Sequence, residues 1–214
     1  MSLTPIAEFV NTAIYLRKDP PWHLSRSPQM DFLRALPGLG PQPQGPWLAG
    51  GAARKLYFNQ DWDTDLDFVF TSQEALDYWL KELANCDVSL NGDKQHVVEF
   101  NFRGRPIQLI RHKFFPTPQA ALDDFDFTIC QFLFDGIHFY HNSWSVTDTH
   151  EKRLRLANGT RPIEAIMRVA KYGAQGFKCG ESTARELCRM VAKDPALAEA
   201  ELVVKSNLEL EPRA

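Results

Sequence analysis

Cysteine pairs at zinc-ligand spacing are missing from this sequence. Cys86, Cys130, Cys179 and Cys188 fall in three separate segments and none forms a CxxC. Neither a zinc site nor a disulfide framework is suggested, and reduced thiols in a cytosolic compartment are expected. A basic excess is also missing: 24 Lys and Arg stand against 27 Asp and Glu, a formal net charge of −3. Nucleic-acid binding by bulk electrostatics rests on clustered Lys and Arg, so any such site here must be local. The N-terminus, MSLTPIAEFVNTAIYLRKDP, lacks the basic start, long apolar core and small-residue cleavage site of a secretory leader. No signal peptide and no membrane span is expected. Internal repeats and low-complexity tracts are absent. What is present, 214 residues that are 44% hydrophobic and 24% charged, is enough for one buried core, with at most a small appendage.

Residues 4–18 read as an amphipathic helix, with Thr4 as N-cap and Pro5 in its first turn. A second helix runs from about Pro28 to Leu36 and stops at Pro37–Gly38. The stretch PGLGPQPQGP (37–46) excludes helix and central strand alike, and marks a boundary between an N-terminal helical segment (1–46) and a core (47–145). From Trp47 short apolar runs alternate with helical ones: WLAGG, DLDFVF, SQEALDYWLKELANC, HVVEFNF and RPIQLIRHKF, with Arg103–Gly104 as a tight turn. Residues 117–124 suit a short helix, and FTICQFLFDGIHFYH suits a hairpin turning at Asp135–Gly136 in two residues. From about residue 160 the chain reads as helical again, through PALAEAELVVKSNLEL, so that 146–214 forms a small helical C-terminal unit. The fold class is α+β, a mixed sheet of about five to six strands flanked by helices.

The chemistry concentrates at Asp65 and Asp67. Their spacing puts both carboxylates on one face of a strand whose other face, Leu66, Phe68 and Phe70, points into the core. Two adjacent carboxylates on a rigid strand repel each other unless a cation lies between them, and Mg²⁺ favours oxygen ligands. The bland alternative is a strand edge with solvated acids. Fourteen residues before Asp65 and Asp67's strand begins its motif, Gly50–Gly51 ends an apolar run and opens the helix-compatible segment AARKLYF. Paired glycines there let backbone N–H groups approach phosphates, and a helix N-terminus favours an anion. His138, His141 and His150 lack ligand spacing and add no metal site.

Taken together, LAGGAARKLYFNQDWDTDLDFVF resembles the signature of the DNA polymerase beta-like nucleotidyltransferases: a strand ending in GG[AS], a helix, then hDxDh on the next strand. The resemblance implies the nucleotidyltransferase fold, Gly50 and Gly51 against the nucleotide phosphates, and Asp65 and Asp67 as ligands of Mg²⁺ or Mn²⁺. It implies in-line transfer at the α-phosphate with release of pyrophosphate. Arg54, ahead of Lys55, is the preferred phosphate ligand after the glycine turn, since relatives of the CCA-adding type carry an arginine near this point.

Many members of that superfamily carry a third carboxylate on a later strand, where PIQLI presents Gln108. An amide cannot take a proton from an attacking hydroxyl. Three explanations stay open. Some relatives, the bacterial CCA-adding enzymes among them, work with the two carboxylates of the DxD, and Arg103 after VVEFNF is similar to their strand. Alternatively, Asp126 or Asp124 supplies the missing acid; Asp126 is favoured over Glu99 because it begins a strand able to lie beside the DxD. Third, the chain is a binding protein that has lost its chemistry. In RPIEAIMRVAKYGAQGF, Ile163, Ile166, Met167 and Ala170 form an apolar stripe, while Arg168, Lys171 and Gln175 share another face. The resemblance implies that Arg168 and Lys171 meet the triphosphate or a nucleic-acid primer; a solvated basic face is the ordinary alternative.

The expected function is therefore metal-dependent transfer of a nucleoside monophosphate from an NTP to a hydroxyl of an RNA 3′ end, a protein or a small molecule. The alternatives are a non-catalytic nucleotide- or RNA-binding pseudoenzyme, motivated by Gln108, a partner-binding subunit that uses the sheet as scaffold, and a toxin-like enzyme modifying a host protein or tRNA. The same core supports all these acceptors.

Overall fold

The computed structural model describes residues 15–17, 27–40, 45–86, 88–158 and 161–193. Its centre is an eight-stranded mixed sheet, wider than the five or six strands expected, with strand order β1-β8-β7-β2-β3-β6-β5-β4. These strands are β1 (Tyr15–Arg17), β2 (Trp47–Ala49), β3 (Leu66–Val69), β4 (Val88–Asp93), β5 (Val97–Phe102), β6 (Arg105–Ile110), β7 (Phe132–Phe134) and β8 (Phe139–His141). Every neighbouring pair is antiparallel except β3 and β6.

Period-two alternation divides the sheet into two faces. Leu48, Phe68, Ile107, Leu109, Val98, Phe100 and Phe132 pack into the main core together with α1 (Pro28–Arg34), α3 (Gln73–Ala84) and the inner side of α2 (Gly50–Tyr57). Helix α1 starts where Ser27 accepts from the Met30 N–H and Pro28 takes the first turn. Helix α3 starts where Ser72 accepts from the Ala75 N–H, and buries Leu76, Trp79 and Leu83 at helical spacing. The Trp79 indole donates to the Pro37 carbonyl at 2.6 Å, which satisfies the ring nitrogen of a side chain buried against Phe68 and Phe70.

Trp47, Ala49, Val69 and Leu133 point to the opposite face and pack with α4 (Pro118–Asp123). A third cluster joins Phe127 and Ile129 to β9 (Arg153–Leu154), α6 (Pro162–Gly173) and α7 (Glu181–Val191), where Leu154, Tyr172, Phe177 and Leu187 are buried. Strand β9 pairs with β10 (Lys178–Cys179) in a separate two-stranded sheet.

Several local expectations change. Tyr15–Arg17 is a strand paired with β8 rather than the end of a helix, because pairing along an otherwise open edge outweighs local propensity; residues 4–14 of that expected helix lie outside the described residues. The β7–β8 connection is longer than two residues: Phe134 faces Phe139, and the Asp135 carboxylate accepts from the Ile137 and His138 N–H groups. Strand β4 and helix α5 (Ser143–His150) are additional. On α6 the expected apolar stripe faces outward, with Ile163, Ile166 and Met167 at 38%, 42% and 70% exposure, while Pro162, Ala165 and Tyr172 are buried. Small Ala165 permits close approach, and the Tyr172 hydroxyl lies 3.0 Å from the Cys130 thiol. The expected helix beyond residue 194 lies outside the described residues. No described helix is long and apolar enough to cross a membrane.

Candidate active site

The face opposite the main core carries the site. Asp67 in β3 lies in register with Gln108 in β6, and Gln108 lies in register with Glu99 in β5, so three polar side chains cross the sheet in a row. The Gln108 amide donates to Asp65 Oδ2 at 3.0 Å and to Glu99 Oε1 at 3.4 Å. Glu99 also accepts from Lys94 Nζ at 2.8 Å. Gln108 thus stands at the position where a third acid was expected and links the DxD to an acid one strand further on. Glu99 was set aside in favour of Asp126 on sequence grounds; the structure brings Glu99 to this group.

Asp126 lies elsewhere. It is buried beside α6, where Arg168 donates to its Oδ2 and Arg161 lies 3.7 Å from its Oδ1. Its Oδ1 has no hydrogen-bond partner among the described residues. Burial pushes its carboxyl above the ordinary range, and the two arginines offset part of that rise. Asp126, like Asp65, Gln108 and Glu99, does not line the cavity that holds Asp67, whereas Arg168 does. Asp124 accepts from Lys113 and pairs with Arg161 at 3.5 Å.

That cavity, of about 240 Å³, is lined by Asp67, Gly50, Gly51, Arg161, Arg168 and Lys171 among others. Gly50 adopts φ +66, and a Cβ there would also sit 3.4 Å from the Phe125 ring. Ala49 provides no side-chain cap, which leaves the first N–H groups of α2 available to an anion. Lys171 and Arg168 partly counter the rise of the Asp67 pKa, which burial and then the neighbouring Asp65 push up to about 6.

Arg54 is placed differently from expectation. It is 3% exposed and does not line this cavity; it donates to the Ile129 carbonyl at 3.2 Å and to Gln175 Oε1 at 3.4 Å. Gln175 turns away with it.

Asp65, just before β3, and Asp67 within it suit a hard divalent cation, because they offer oxygen ligands and Asp65 helps to raise the Asp67 pKa. Among the described residues no group of three or more His, Cys, Asp or Glu converges as a ready metal site. Glu99 reaches the pair only through the Gln108 amide.

The fold is that of nucleotidyltransferases. A Thermotoga maritima CCA-adding enzyme complexed with tRNA superposes with a TM-score of 0.62 at 20% identity, over 83% of this chain and 46% of that one. A CCA-adding enzyme complexed with CTP gives 0.62 at 18% identity, over 86% and 48%. A tRNA nucleotidyltransferase with a primer tRNA and an ATP analogue gives 0.53 at 19% identity, over 68% and 46%. In sequence, the protein Gabija anti-defense 2 of Bacillus phage SPbetaL7 is 29% identical over 135 residues, 58% of this chain. The chain spans about half the length of these structures, and the match covers 32% of the phage relative. A model of the family described as Gabija anti-defense 2 matches residues 30–152, more than half of the sequence, and the chain belongs to that family.

Proposed function

We propose that this protein is a metal-dependent nucleotidyltransferase that moves a nucleoside monophosphate from an NTP to a hydroxyl acceptor. One observation carries the reading: Asp67, the glycine-opened N-terminus of α2 and the cations Arg161, Arg168 and Lys171 line the same cavity. In this reading LAGGAARKLYFNQDWDTDLDFVF is the functional GG…DxD signature.

Arg168 and Lys171 hold the triphosphate, and the α2 N–H groups meet its oxygens at the glycine turn. Asp65 and Asp67 are the residues that would hold Mg²⁺ or Mn²⁺. Bound there, the metal supplies positive charge to the phosphate oxygens as charge develops. The acceptor oxygen bonds to the α-phosphorus, the bond from that phosphorus to the bridging oxygen breaks, and pyrophosphate leaves with that electron pair. The hydroxyl proton passes to a site carboxylate, and Glu99, held beside Asp65 through Gln108, is the assigned acceptor. The family description adds a setting, action against a defence system, in which the acceptor is a protein or RNA of that system.

A second reading is favoured by Gln108 itself. Its amide occupies the position of the third acid and is hydrogen-bonded to Asp65, an arrangement suited to a protein that binds nucleotide without turning it over.

Incubating the protein with each α-³²P-labelled NTP, Mg²⁺ or Mn²⁺, and RNA plus lysate, beside an Asp65→Ala/Asp67→Ala control, separates the two. Label transferred only by the unmutated chain supports transfer and identifies the acceptor class. Metal-dependent NTP binding without transfer overturns the enzyme reading in favour of the binding protein.

A further inference from the structure

A second cavity, of about 270 Å³, shares no lining residue with the first. Arg54, Lys55 and Lys152 line it with Gln60 and Gln175, and among the described residues Asp63 is the one acid in its wall. Asp63 is bonded to Lys55. The wall therefore carries an excess of positive charge that its own acid does not neutralise.

Arg54 sharpens the point. Its guanidinium is almost wholly buried, and its hydrogen bonds go to a backbone carbonyl and an amide oxygen rather than to a carboxylate. The Phe177 ring lies 5.1 Å from it. A buried cation with neutral partners favours any anion that can reach it.

Lys152 supplies an independent observation. It follows the C-cap Glu151 of α5 with φ +53, at the left-handed position where glycine ordinarily ends a helix. That conformation is uncommon for a lysine, and its ammonium lies 4.5 Å over the Phe177 ring at the cavity wall.

We propose that this second cavity binds a phosphate group, carried by a small molecule or by a nucleic-acid backbone, at a site separate from the carboxylate cleft. Arg54 and Lys152 provide the charge-assisted donors, and the Gln60 and Gln175 amides fix orientation. The proposal does not depend on nucleotidyl transfer.

The test titrates the full chain, without added metal, with inorganic pyrophosphate by calorimetry and with a labelled single-stranded oligoribonucleotide by fluorescence anisotropy. Lys152→Gly removes the ammonium at a position whose backbone glycine prefers, so folding is kept; Lys152→Glu reverses the charge. Both changes are read in a Lys171→Ala background, which weakens the phosphate contacts of the cleft. Expected is a further loss of about tenfold or more in affinity for pyrophosphate, the oligonucleotide or both when Lys152→Gly is added to Lys171→Ala. Lys152-dependent pyrophosphate binding identifies a small-molecule phosphate; dependence seen for the oligonucleotide alone identifies a backbone phosphate. The proposal is overturned if neither ligand binds the parent, or if the binding left in the Lys171→Ala background survives Lys152→Glu.

Discussion

Arg168 reaches from α6 into the cavity while its guanidinium donates to Asp126 Oδ2, so a cation that walls the site is fixed by a carboxylate that does not line it. Asp126 is therefore a positioning residue. Asp126→Asn should change stability by no more than about 1 kcal/mol in urea unfolding, since burial already raises the Asp126 pKa and the lost ion pairs are with Arg168 and Arg161, which are 39% and 38% exposed. NTP affinity should fall about tenfold while turnover of bound NTP stays within about threefold. Loss of turnover with affinity intact would instead make Asp126 the catalytic acid.

Glu99 gives the complementary case. It meets Asp65 only through Gln108, and Glu99→Gln preserves size and the hydrogen bond while removing the proton acceptor. Nucleotidyl transfer should drop about 10²-fold or more, with NTP affinity changed less than about threefold. Single-turnover kinetics checks this, and unchanged turnover would rule out Glu99 as the base.

The alternation that placed Asp65 and Asp67 on one face and Leu66, Phe68 and Phe70 in the core was readable directly, because one strand's pleat is local information. Glu99 was readable one step further. Arg103 and Gly104 both have positive φ, as a two-residue hairpin turn requires. Such a turn sets Phe102 against Arg105 and therefore Glu99 against Gln108. What that arithmetic cannot supply is the parallel pairing of β6 with β3, which is tertiary. Strand β4 lacks a clean alternation, and its ladder carries an irregularity between Leu90 and Gly92. Helix α5 has no apolar stripe to announce it and starts at the Asn142 cap. On α6 the larger apolar side chains suggested the wrong face, since the cluster around Phe127 accepts Ala165 and Tyr172 instead.

The two glycines of the turn should separate in their effects. Gly50→Ala forces a left-handed φ on an L residue and crowds Phe125, so a loss of about 1–2 kcal/mol is expected. Gly51 has open space around a built Cβ and sits in the helix. Gly51→Ala should gain about 0.5–1 kcal/mol in stability and yet bind NTP about tenfold more weakly if phosphate comes close to that backbone. Thermal unfolding and NTP titration of the same preparation read both. A stabilised variant with unaltered affinity would place the phosphates elsewhere.

Asp67 links the site to stability, and the sign follows from its pKa. Its folded-state value of about 6 lies above the ordinary 3.8, so between those values the folded protein binds more protons than the unfolded chain. Stability of the metal-free protein must then fall as pH rises from about 4 to about 6 and level off above, by about 1–3 kcal/mol from this group. Asp67→Asn removes the cost of burying that charge beside Asp65, and should be more stable than the parent at pH 7 in chelator while flattening the slope. Added Mg²⁺ acts in the same direction on the parent alone, because a cation between Asp65 and Asp67 relieves the repulsion that the variant lacks. Denaturant unfolding across this pH range, with chelator and then with Mg²⁺, measures all three. A parent protein that Mg²⁺ leaves unchanged, or stabilises as much as Asp67→Asn, would show that these carboxylates do not hold the metal.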